Sequence, residues 1–75
     1  MAQVKKVKAQ LSEIDQVKAV RRSMGPKYKG WLMIVRIGKN YYVGSSLKPT
    51  TFDRAYKRAE SKIAAGGKAV VMEKD

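Results

Sequence analysis

The chain contains no cysteine and no histidine. Those absences remove disulfide staples, thiol nucleophiles, imidazole acid–base chemistry and the Cys/His sites that hold zinc, iron–sulfur clusters or haem. Acidic residues are scarce as well, 6 against 17 Lys+Arg, which leaves a formal charge of +11 on 75 residues. Long apolar runs are missing too: the longest, Trp31 to Val35, falls far short of the roughly 20 residues needed to span a bilayer. Lys5, Lys6 and Lys8 interrupt any signal-peptide-like stretch near the start. The expectation is a single small basic domain over residues 1–75, cytoplasmic or virion-internal, with no membrane partner and no cofactor. Its core is limited, because a chain this short hides only about 60% of its unfolded surface.

What is abundant is positive charge, and it is unevenly spread. The net tally is +6 over residues 1–30, +3 over 31–49 and +2 over 50–75. Between Asp15 and Asp53 there is no acid, while Lys18, Arg21, Arg22, Lys27, Lys29, Arg36, Lys39 and Lys48 follow one another unopposed. An ordinary solvated surface interleaves the two signs, because that lowers self-repulsion. A one-sided run of this kind favours an anionic partner, with solubility alone as the bland reading.

The hydrophobic pattern gives an α+β chain. Ser12, with Asp15 three residues on, reads as a helix N-cap, and Ile14, Val17, Val20 and Met24 recur at helical spacing until Gly25-Pro26. A helix is expected over about residues 12–24. Residues 2–10 fit either an edge strand or a backward extension of that helix, since Val4, Val7 and Leu11 keep its spacing. Trp31 to Ile37 and Tyr41 to Val43 flank Gly38-Lys39-Asn40 as a β-hairpin, with Gly and Asn supplying positive φ. The first hairpin strand is apolar on both faces and is expected at the centre of the sheet. After Pro49-Thr50-Thr51 a second helix places Phe52, Ala55, Tyr56, Ala59 and Ile63 on one stripe, ends at Gly66-Gly67, and precedes a short strand over Lys68 to Met72. The fold expected is a small sheet built on a central hairpin with two helices on one face. It is a ferredoxin-like βαββαβ order if residues 2–10 are a strand, or α-β-β-α-β with a long N-terminal helix otherwise.

Tyr42-Val43-Gly44-Ser45-Ser46, after a strand and before a helix carrying Arg54, resembles over about fifteen residues the second half of the GIY-YIG nuclease pattern. The first half of that pattern is not clear in Gly30-Trp31-Leu32, and the chain is too short for the whole domain. Glu60 follows Arg54 too closely on one helix to take the role of the family's downstream metal-binding glutamate. Gly38-Lys39 and Gly66-Gly67-Lys68 lack the phosphate-wrapping Gly-x-x-x-x-Gly-Lys-Ser/Thr arrangement. No catalytic constellation emerges, and the chain is read as non-enzymatic.

The remaining signal is a basic surface interleaved with aromatics. Tyr28, Trp31, Tyr41 and Tyr42 lie in or beside the acid-free window, and nucleic-acid binders combine cations for phosphates with flat side chains for bases. Trp31 and Phe52 are assigned to the core. Of the adjacent Tyr41 and Tyr42, strand alternation exposes one. Lys27, Lys29, Arg36 and Lys39, with Arg21 and Arg22, are expected to carry most of the affinity, with Lys18, Tyr41 and Tyr42 beside them. A second surface is helical, where Arg54, Arg58 and Lys62 form a ridge one turn apart that Asp53 and Glu60 dilute. The leading expectation is a protein that binds DNA or RNA through backbone phosphates. The alternative is a small accessory or inhibitor protein, viral in one version, whose basic face docks on an acidic protein surface. Homodimerisation stays open.

Overall fold

The computed structural model describes residues 12–74. They form helix α1 (Glu13–Met24), strands β1 (Leu32–Ile37) and β2 (Asn40–Val43), helix α2 (Phe52–Ala64) and strand β3 (Ala69–Lys74). Ser12 is extended, and its hydroxyl accepts a hydrogen bond from the Asp15 amide at 3.1 Å, so α1 starts where the capping pattern placed it. Glu13 and Asp15 in the first turn and Arg21 and Arg22 in the last complement the helix dipole. Both the strand and the helix expected over residues 2–10 fall outside the described residues.

The sheet has the order β2-β1-β3, with β1 central as its two apolar faces required. β1 pairs antiparallel with β2 from Ile34↔Val43 to Ile37↔Asn40, and parallel with β3 from Leu32↔Ala69 to Ile37↔Lys74. The hairpin connection is the two residues Gly38-Lys39, and Gly38 alone has positive φ (+61°). That is the type II′ pattern, with glycine at the first central position. Asn40 was expected to share the turn; it pairs with Ile37 and opens β2 instead.

Strand alternation divides the core in two. Val35 and Ile37, with Tyr42 across the ladder, pack under α1 at Val17 and Val20. Ile34 and Val43, with Leu32 and Tyr41, pack under α2 at Ala55 and Ala59. Consecutive residues of a strand point to opposite faces, so the two helices flank opposite faces of the sheet. This corrects the expectation that both share one face. The physical reason is β1 itself: a strand apolar on both sides needs cover on both.

The α2 stripe was also drawn too wide. Ala55 is buried and Ala59 half-buried, but Phe52, Tyr56 and Ile63 are 58%, 54% and 59% exposed. Small side chains bring α2 close to the sheet, and the larger ones fall beside the contact. Trp31, likewise expected inside, is partly exposed, against Tyr28 (5.2 Å between ring centroids) and under the Lys68 ammonium.

Candidate nucleic-acid interface

The expected site residues do not converge on the hairpin. Lys39 is exposed at its tip, Lys27 and Lys29 are exposed in the turn between α1 and β1, and Lys18 and Arg22 are exposed on α1. Arg36 is committed within the fold: one guanidinium nitrogen donates to the Gly38 carbonyl at 2.6 Å, another meets the Glu73 carboxylate at 3.2 Å. Arg21 is half-buried and donates through Nη2 to the Ser46 carbonyl at 2.6 Å. Burial pulls its pKa below the ordinary arginine value.

Tyr42, offered as a base-stacking residue, is 2% exposed. Its hydroxyl donates to Glu13 Oε2 at 2.6 Å, and the Asn40 side-chain amide donates to the same oxygen at 2.7 Å. The Tyr42 hydroxyl, then the Asn40 amide, hold the Glu13 carboxyl below the usual carboxylate range. The same bond to Glu13, with burial, pushes the Tyr42 phenol up. This network ties the start of α1 to the start of β2 and offers no aromatic face to solvent. Tyr41 is half-buried on the other face, edge-on to Phe52 at 5.7 Å, with Phe52 stacked in turn on Tyr56 at 5.8 Å.

Two of the expected cations do come together, on α2. Arg54 and Arg58 line a cleft of about 540 Å³ between the helix and the loop that follows β2. Lys57 and Ser61 complete the helical wall. The loop wall is Ser46, Lys48, Pro49 and Thr50, and Val43 lies at the base. No acid is among these lining residues. Asp53 and Glu60, which seemed to dilute this helix, are seven residues apart and so share a different side of α2 from Arg54 and Arg58.

The loop wall is held at three points. Thr50 and Tyr41 exchange both backbone hydrogen bonds (2.7 and 3.0 Å), Ser46 Oγ accepts from the Lys48 amide at 3.2 Å, and Arg21 holds the Ser46 carbonyl. The helical wall starts at Thr51, whose hydroxyl accepts from the Arg54 amide. Sequence reasoning missed Lys48 and Lys57 as partners. Lys57 lay on the charged face of this helix with Arg54 and Arg58, and Lys48 in the acid-free run, but only the folded loop brings Lys48 to the helix. Among the described residues, no cluster of three or more potential ligands forms a metal site, and no helix is long and apolar enough to cross a membrane.

Comparison with protein-family models, with curated proteins and with solved structures returns no match.

Proposed function

We propose that the protein is a non-enzymatic nucleic-acid-binding protein that holds backbone phosphates in the cleft between α2 and the Ser46–Thr50 loop. The observation that supports this most directly is the lining: Lys48, Arg54, Lys57 and Arg58 around one concavity that contains no acid. Four exposed like charges gathered around one concavity repel one another, and a polyanion relieves that cost. Lys18, Arg22, Lys27, Lys29 and Lys39 supply a diffuse field that speeds encounter. The cytoplasm or a virion interior, where nucleic acid is abundant, is the setting this reading implies.

The test is binding to labelled DNA and RNA across a salt series. Four neutralised phosphates give a log–log slope of about −3 to −4. Arg54→Ala with Arg58→Ala should weaken binding at least about tenfold and flatten the slope by about 2. Lys18→Ala with Arg22→Ala removes equal charge outside the cleft lining and should change affinity much less. A slope near zero, or equal losses from the two pairs, refutes the cleft as the phosphate site. Capture of an acidic protein after nuclease treatment, together with no affinity for DNA or RNA, would put the accessory-protein reading in its place.

A further inference from the structure

The cleft has an apolar floor that phosphate contacts alone leave unexplained. Its cations belong to the two walls, while its base and one shoulder are Val43 and Pro49, both apolar. A phosphate gains nothing from apolar surface, and burying one against it costs solvation. The face of a nucleobase does gain, because stacking against flat or apolar side chains removes it from water. The volume, about 540 Å³, lies within the range of about 300–1,000 Å³ typical of small-ligand clefts.

Duplex and single strand differ in what they offer such a shape. A duplex turns its bases inward and presents a convex backbone, so it can rest phosphates on the rim but leaves the floor empty. An unpaired strand can turn one nucleotide inward while its flanking phosphates stay on the rim. We infer that the cleft is an unpaired-nucleotide site: one base lies over Val43 and Pro49, the hydroxyls of Thr50 and Ser61 meet its edge or sugar, and Lys48, Arg54, Lys57 and Arg58 hold the phosphates on either side. The inference rests on the nucleic-acid reading of the same cleft and adds the form of nucleic acid that it takes.

The experiment uses fluorescence anisotropy of the full chain with one mixed-sequence oligonucleotide, presented as a single strand and as a blunt duplex at the same ionic strength. The single strand should bind at least about tenfold tighter than the duplex. Ser61 is exposed on α2, so Ser61→Phe can fill the cleft without disturbing the core; unchanged helical circular dichroism checks this. That variant should lower single-strand affinity about tenfold, towards the duplex value, and lower duplex affinity much less. Ser61→Ala, which removes a hydroxyl without filling space, should cost much less than Ser61→Phe. Equal or tighter duplex binding overturns the inference, as does single-strand affinity indifferent to Ser61→Phe; in both cases phosphate binding itself survives. A free mononucleotide that competes with the strand at the strand's own concentration also overturns it, since the site would then be one for small nucleotides. Loss of all binding refutes the underlying reading instead.

Discussion

A single carboxylate oxygen of Glu13 accepts hydrogen bonds from both the Tyr42 hydroxyl and the Asn40 amide, and this fixes how α1 meets the hairpin. Tyr42 is buried with its only polar atom committed there. Tyr42→Phe keeps the ring packing and deletes the bond, so urea denaturation at neutral pH should show a loss of about 1 kcal/mol with nucleic-acid affinity unchanged. The pH dependence has a definite sign. The Glu13 pKa is lower in the folded protein than its ordinary 4.5, so the stabilisation is complete above the carboxylate range and is lost as pH falls through the folded value. The difference between wild type and Tyr42→Phe should therefore shrink in acid; a constant difference would mean that Tyr42 donates to something other than the ionised carboxylate. Alternation alone established that Tyr41 and Tyr42 face opposite sides. Which one is hidden depends on Glu13 reaching across from another element, and nothing in the local spacing encodes that.

At the scale of elements, the cleft exists because two walls with separate causes are brought to one place. α2 was legible from its apolar spacing and its stop at Gly66-Gly67, and with it the ridge of Arg54 and Arg58. The loop wall was not legible, because its shape comes from contacts distant in sequence: Thr50 against Tyr41, and Arg21 of α1 against the Ser46 carbonyl. The side of the sheet that each helix covers was misjudged for a related reason. Periodicity assigns a helix a buried face but does not choose between the two apolar faces of a central strand. Arg21 is accordingly a positioning residue, although the sequence offered it as a phosphate contact. Arg21→Lys keeps the charge and loses the planar fork that reaches the loop. Amide exchange at Ser46 and Lys48 should quicken, and affinity should fall by a few-fold, about 0.5–1.5 kcal/mol, while the salt slope stays as in wild type. A slope reduced by about one unit would show instead that Arg21 touches a phosphate.

For the molecule as a whole, charge acts against the fold and, under the proposed function, in favour of binding, and one variable separates the two effects. Among the described residues a single ion pair, Arg36–Glu73, offsets the excess, and Glu73 is largely solvent-exposed. Exposed pairs contribute about 0–1 kcal/mol, too little to balance a net +11. Buried apolar groups are few, Val17, Ile34, Val35 and Tyr42 being the largest that are fully enclosed, so self-repulsion is a sizeable fraction of a small total. Raising sodium chloride from about 10 to 150 mM shortens the Debye length from about 30 to 8 Å. In the free protein this should raise the thermal midpoint by several degrees, since about 1 kcal/mol corresponds to about 4–8 °C in a domain of this size. Over the same range a slope of about −3 lowers nucleic-acid affinity by about three-thousandfold. Opposite responses to one titration are what a protein organised around a polyanion should give: salt stands in for the partner in the free state and competes with it in the bound state. A midpoint that stays flat or falls with salt would mean that the cations are too far apart to repel one another, and would leave the cleft without the strain that a phosphate backbone relieves.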